Sequence, residues 1–130
     1  MTTPFWCLLF ASLMPYVLAG AGGYLRVKQL GSLDANHPRV QAYELRGIAA
    51  RAQAAQQNAW EALAVFGAAV VVAHLAGADP GWSATAALVF VVARILHAVF
   101  YIADQAPLRT LVFLVGWACS LTLFGLAISA

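Results

Sequence analysis

Four apolar segments of membrane-spanning length limit what this chain can fold into. They lie within residues 5–25, 40–76, 82–103 and 107–129. A bilayer core of about 30 Å needs roughly 20 apolar residues in a helix, and backbone polar groups in lipid must bond within their own segment. We therefore predict an all-α membrane protein, a four-transmembrane-helix bundle that forms one domain over residues 1–130.

The composition supports a membrane protein and argues against a nucleic-acid-binding one. Charged residues make up 9% of the chain, whereas soluble domains carry about 25%. So few charges cannot cover a water-facing surface of this size. The seven basic residues form no run, and nucleic acid recognition needs a basic patch with several phosphate contacts.

One long polar connection orients the predicted bundle. Residues 26–50 contain four of the seven basic residues, and a helix is expected to start after Pro38 and continue unbroken to residue 76. Cytoplasmic loops carry an excess of Lys and Arg, so this connection is predicted to be cytoplasmic and both termini non-cytoplasmic. Residues 1–4 contain no Lys or Arg, so the first span is expected to be a retained helix. The Ala- and Val-rich composition suggests a bacterial source and hence the inner membrane.

Polar side chains follow one face of each of two neighbouring spans. On a helix that turns about 100° per residue, three polar residues of the second span share one stripe: Arg51, Asn58 and Glu61. The third span carries a similar stripe: Arg94, His97 and Tyr101. An unpaired charge at the centre of a membrane helix costs about 2.5–3.5 kcal/mol, so these groups are expected to pair or to face a wet cavity.

Two interpretations of these stripes remain open. Glu61 and Arg94 could form an ion pair whose only role is to lock the two helices together. Alternatively, they meet a polar ligand, and the arginines that outnumber the acids here favour an anionic one, because Arg binds carboxylates in bidentate fashion. His97 by itself is more often a packing residue than a base. No group of residues has the spacing of a metal site, so we predict no metal.

The ordered set of these residues resembles the MAPEG family, the membrane-associated proteins of eicosanoid and glutathione metabolism. The matching pattern is Arg51-Ala52, Asn58-x-x-Glu61 and Phe66, then Arg94-x-x-His97-x-x-x-Tyr101, then Leu108-Arg109. The resemblance covers essentially the whole chain and is closest to a bacterial-type member. It implies a homotrimer of four-helix protomers, embedded in membrane lipid, with glutathione bound between adjacent protomers near the cytoplasmic side.

The resemblance also implies an activity, a glutathione-dependent transferase or peroxidase acting on lipophilic electrophiles. Glutathione would be the co-substrate, held by six residues: Arg51, Asn58, Glu61, Arg94, His97 and Tyr101. Arg109 would be catalytic, because a guanidinium near a thiol favours the reactive thiolate.

Two positions depart from the pattern of eukaryotic members. Ala54 stands where they often carry a second arginine, and His97 where they often carry a tyrosine. The missing arginine motivates an alternative function, a non-catalytic membrane binding or scaffold protein that holds lipid-like ligands in intersubunit grooves.

Overall fold

The computed structural model describes residues 1–130 and contains only helices as regular structure. These are α1 (Thr3–Leu30), α2 (Pro38–Ala42), α3 (Gly47–Ala76), α4 (Pro80–Ile102) and α5 (Ala106–Ile128). All except α2 are long and apolar enough to cross a membrane. The predicted all-α architecture with four membrane-length helices is confirmed.

The four long helices run alternately up and down, which gives the bundle two distinct ends. We call the end that carries residues 31–46 and 103–105 the basic end. The opposite end carries the short turn 77–79, the start of α1 and the end of α5. α3 contacts α1, α4 and α5, and α4 contacts α1, α3 and α5, so the two helices that carry the polar stripes lie at the centre of the bundle.

The prediction of one unbroken helix over residues 40–76 is wrong. α2 ends at Ala42, α3 begins at Gly47, and residues 43–46 turn between them. Gly47 has a φ of 57°, a left-handed conformation that glycine adopts without a steric penalty. The side-chain amide of Gln29 fixes the break, because it donates to the Arg46 carbonyl at 3.0 Å and accepts from the Arg46 N–H at 2.9 Å.

Residues 31–46, which connect α1 to α3 at the basic end, are held in place by a second set of hydrogen bonds. The Arg26 guanidinium donates to the Pro38 carbonyl at 2.9 Å and to the Gln53 side-chain oxygen at 2.8 Å. The buried side chain of Gln41 accepts from one loop N–H and donates to one loop carbonyl. The connection is therefore an ordered cover over the basic end of α1 and α3.

Small residues allow the helices to lie close together. One side of α3 presents a buried alanine at most of its turns: Ala49, Ala52, Ala55, Ala59, Ala69 and Ala73. In a membrane, helix association depends on dispersion contacts and close backbone approach, which small side chains permit. One large side chain, Phe66, is buried among these alanines. Its ring stacks on that of Phe90, with ring centroids 3.7 Å apart and planes 5° from parallel. The polar stripes of α3 and α4 lie on the basic side of this stack.

The outer surface of the bundle is strongly apolar. Trp6, Trp82 and Trp117 are 58%, 67% and 52% exposed, and large aliphatic side chains such as Val17 and Leu75 also point outward. A surface of this kind is suited to lipid or to other copies of the chain.

Candidate functional site

Asn58 connects the polar stripes of α3 and α4. Nη2 of Arg94 donates to Oδ1 of Asn58 at 2.7 Å, and Nδ2 of Asn58 donates to Oε2 of Glu61 at 3.4 Å. The direct ion pair between Glu61 and Arg94, one of the two open interpretations, does not form, since neither of the two salt bridges in the structure joins them. The amide of Asn58 lies one turn before Glu61 and is the first acceptor that the guanidinium reaches.

Arg94 is placed by close contact between α4 and α5. Its side chain is only 4% exposed, which is unusual for arginine and requires a hydrogen-bond acceptor. A Cβ built on Gly116 of α5 would lie 3.6 Å from Cδ of Arg94. Gly116 therefore packs close to the aliphatic stem of Arg94, at a distance where a methyl group would still make ordinary contact, while the charged tip reaches Asn58.

His97 lies one turn further along α4 and is enclosed by aromatic rings. It is 2% exposed, with Tyr101 edge-on at 5.5 Å and Phe113 tilted at 6.2 Å between ring centroids. Its buried Nδ1 has no hydrogen-bond partner within the protein. These aromatic surroundings support the interpretation of His97 as a packing residue. Its ring also lines one wall of the site.

Arg109 lies over the ring of Tyr101 at the basic end of the site. Its Cζ is 4.4 Å from the ring centroid, a cation–π geometry that holds the guanidinium without a negative charge. No carboxylate of the chain lies within salt-bridge distance of Arg109. Arg109 belongs to the first turn of α5 and is half-buried, so it presents an uncompensated positive charge.

Two cavities meet at Asn58. One has a volume of about 210 Å³, lies among α3, α4 and α5, and has an apolar wall that includes Val65, Phe90 and Trp117. The other is an open cleft of about 240 Å³, lined by Asn58, His97, Tyr101, Arg109, Thr110 and Phe113. Asn58 and Phe113 line both cavities. The arrangement therefore offers a cationic cleft beside a pocket that has one apolar wall and a polar side formed by Glu61 and Arg94, with Asn58 shared by both.

Arg51 lies apart from these cavities and lines neither of them. Its Nε donates to the carbonyl of Ile102, in the last turn of α4, at 3.1 Å. Its Nη1 is 3.7 Å from Oδ2 of Asp104, whose side chain is 73% exposed. Arg51 thus ties the start of α3 to the end of α4 at the basic end. The remaining predicted residues all come together around Asn58.

Apart from Arg109, sequence reasoning missed the part of the site that α5 supplies. Phe113 and Trp117 line the cavities but sit in an apolar segment without a polar stripe, so only their spacing from Arg109 marks them. It also missed a wide cleft of about 860 Å³ on the outer face of α3, to which Arg26, Gln53, Ala54 and Glu61 contribute.

The structure contains no group of three or more His, Cys, Asp or Glu side chains that could hold a metal ion. A model of the MAPEG family matches residues 3–129, nearly the whole chain. No curated protein matches the sequence at a significant level.

Proposed function

The chain belongs to the MAPEG family, and we propose that it is a glutathione-dependent membrane transferase or peroxidase acting on lipophilic electrophiles. Family membership supports a glutathione-related activity of an integral, multi-pass membrane protein in general. The observation that carries the specific proposal is the guanidinium of Arg109, which lines an open cleft without a carboxylate partner.

In this proposal Arg109 acts on the sulfur of glutathione. A free thiol has a pKa near 8.5, and a nearby cation lowers it and so increases the thiolate fraction at neutral pH. The thiol proton leaves to water, and the thiolate sulfur attacks the electrophile. With an aryl chloride, a C–S bond forms, the C–Cl bond breaks and chloride departs.

The peroxidase form of the reaction uses the same thiolate. Its sulfur attacks one oxygen of a lipid hydroperoxide, the O–O bond breaks, and the lipid leaves as an alcohol after gaining a proton. The glutathione sulfenic acid then condenses with a second glutathione to give the disulfide and water. The lipid hydroperoxide is reduced, and two glutathione molecules are oxidised.

The residues around Asn58 are assigned to the two substrates according to their polarity. Glutathione is held by the cleft residues Asn58, His97 and Tyr101 together with Glu61 and Arg94. The cavity of about 210 Å³ receives the lipophilic electrophile against its apolar wall, which includes Val65, Phe90 and Trp117. Glu61 and Arg94 line the polar side of the same cavity.

Arg51 is included in the glutathione set although it lies outside both cavities. Its contact with exposed Asp104 is long, at 3.7 Å, and exposed ion pairs contribute little. A carboxylate of the tripeptide can therefore displace Asp104 from the guanidinium, while the bond from Nε to Ile102 keeps the side chain in place.

The proposed assembly is a homotrimer, with glutathione between adjacent protomers and lipid around the outside. The cleft at Arg109 opens outward from its own protomer. Glu61, one turn after the cleft residue Asn58 on α3, is also exposed. A neighbouring copy would close this face. We also propose the bacterial inner membrane as the location, with the basic end cytoplasmic and both termini on the other side.

An activity assay with a matched control tests the proposal. Purified protein is assayed with glutathione and chlorodinitrobenzene, next to Arg109→Ala and to Lys28→Ala, which removes an exposed positive charge from α1. Arg109→Ala should lose most of the turnover and Lys28→Ala none. Equal rates for wild type and Arg109→Ala would remove the assigned role of Arg109, and absence of glutathione binding in calorimetry would overturn the activity class.

The hydrogen bonds at Asn58 also favour a second candidate, a non-catalytic binding or scaffold protein. Arg94, Asn58 and Glu61 already satisfy one another in the free protomer, and Ala54 supplies no second arginine. Under this alternative the grooves hold lipid-like molecules. Co-purified lipid in mass spectra, together with no heat of glutathione binding, would support it over the enzyme.

A further inference from the structure

A second cavity of substantial size lies at the opposite end of the bundle, far from Arg109. Its volume is about 540 Å³, and it is bounded by the starts of α1 and α4 and the ends of α3 and α5. Its wall is apolar at Val70, Ala73 and Leu123. Its polar side chains are those of Thr2, Thr3, His74 and Ser83. None of these residues belongs to the site around Asn58.

Ser83 differs from the other hydroxyl-bearing residues of the helices. Most of them donate to the carbonyl four positions earlier, as helical hydroxyls commonly do: Ser12, Thr85, Thr110, Ser120 and Thr122. Ser83 is 7% exposed, its oxygen is buried, and it has no hydrogen-bond partner in the protein. A buried hydroxyl without a partner is costly, and Ser83 lines the cavity, so a ligand that the hydroxyl reaches from this side would remove that cost.

The charge pattern of the cavity favours an anion. The first turn of α1 faces it, with neither a side-chain cap nor an acidic residue to offset its positive end. Pro4 has no N–H, and the N–H groups of Phe5 and Trp6 bond to the Thr2 carbonyl, so the backbone donor left for a ligand is the N–H of Thr3. Helix N-termini of this kind attract oxyanions. No carboxylate lines the cavity, and Asp79 is turned away to accept the Trp82 N–H at 2.8 Å. The imidazole of His74, held edge-on by Phe5 at 4.9 Å, adds a hydrogen-bonding group at the rim.

The depth of the cavity suits a lipid head. It lies where the membrane-length helices end, which is the level of the headgroups in a bilayer. We propose that it binds the phosphate of an anionic phospholipid, with the Ser83 hydroxyl and the start of α1 as donors and with the acyl chain against the apolar wall. A choline ammonium would find no acidic partner here. The proposal is independent of the glutathione reaction.

Native mass spectrometry of the full-length protein in detergent tests this site. The protein is exposed to phosphatidylglycerol or to phosphatidylcholine, and bound lipid is counted per protomer. Wild type should retain one phosphatidylglycerol and prefer it over phosphatidylcholine. Ser83→Ala should weaken retention about tenfold, the loss expected for one hydrogen bond to a charged group. The matched control Thr85→Ala, two residues along α4 with its hydroxyl bonded to the Gly81 carbonyl, should bind as wild type does.

A second variant and a competing ligand complete the experiment. His74→Ala changes an exposed side chain and carries the test if Ser83→Ala does not fold. Inorganic phosphate is added as a competitor: displacement of the lipid supports a phosphate site that free phosphate also fills, and no displacement supports a site for the lipid alone. Equal retention of the two lipids by wild type, or equal retention by wild type, Ser83→Ala and His74→Ala, would overturn the proposal.

Discussion

The guanidinium of Arg94 donates a hydrogen bond of 2.7 Å to the side-chain oxygen of Asn58, thirty-six positions earlier in the chain. This bond gives a buried positive charge its acceptor and fixes the rotation of α4 against α3. The Nδ2 of Asn58 donates a second, longer hydrogen bond to Glu61. The amide is thus both a structural link between two membrane helices and the point where the two cavities of the candidate site meet.

Replacing Asn58 should therefore cost stability. Asn58→Leu removes the acceptor of Arg94, which is 4% exposed, and we expect a loss of about 1–3 kcal/mol in the free energy of unfolding, the usual cost of a buried polar group left unpaired. Thermal unfolding in detergent measures the change. Gln57→Leu, at the exposed neighbouring position, is the control and should unfold like wild type. Identical melting of Asn58→Leu and wild type would show that the bond has no structural importance.

Arg51 is expected to affect the binding of glutathione more than the chemical step. Arg51→Ala removes a guanidinium that could bind a ligand carboxylate, so KM for glutathione should rise about tenfold with little change in kcat. Asp104→Ala removes the loose internal partner of Arg51 and should leave KM unchanged or lower it. If Arg51→Ala lowers only the melting temperature, Arg51 is a tether between α3 and α4 and does not belong to the ligand set.

The apolar cavity should select for the size of the lipophilic substrate. Val65 lines this cavity, and Val65→Trp would fill part of it. We expect kcat/KM for a bulky electrophile to fall at least about tenfold, as for a misfit in an apolar pocket, with a smaller effect on chlorodinitrobenzene. Val71→Trp is the matched control, because both valines are 40% exposed and Val71 lines none of these cavities. Equal losses for the two variants would assign the effect to the membrane surface.

The architecture could be predicted from the sequence because a bilayer allows few solutions. A chain with 9% charged residues and apolar segments of membrane length must form helices in lipid. Helical phase predicts the two polar stripes of α3 and α4, since an angle of projection is a local property that needs no knowledge of the partner helix, whereas the role of Arg109 is implied by the family resemblance.

The features that could not be predicted from the sequence depend on contacts between distant residues. The break before Gly47 is fixed by Gln29 of α1, and the residues next to Gly47 in the sequence do not predict that contact. Arg51 and Asn58 share a projection angle but lie seven residues apart, about 10 Å along the axis, so they reach different depths of the bundle. The pairing of Arg94 with Asn58 instead of Glu61 depends on how α4 is rotated and shifted along α3, which no helical projection contains.

The protonation state of bound glutathione tests the role of Arg109 at its source. The ultraviolet absorbance of the thiolate is titrated against pH for glutathione bound to wild type, Arg109→Ala and Arg109→Lys. Wild type should show a pKa clearly below the value of about 8.5 for a free thiol. Arg109→Lys should keep part of this depression, and Arg109→Ala should return the pKa to the free value. The same pKa in wild type and Arg109→Ala would contradict thiolate stabilisation by Arg109.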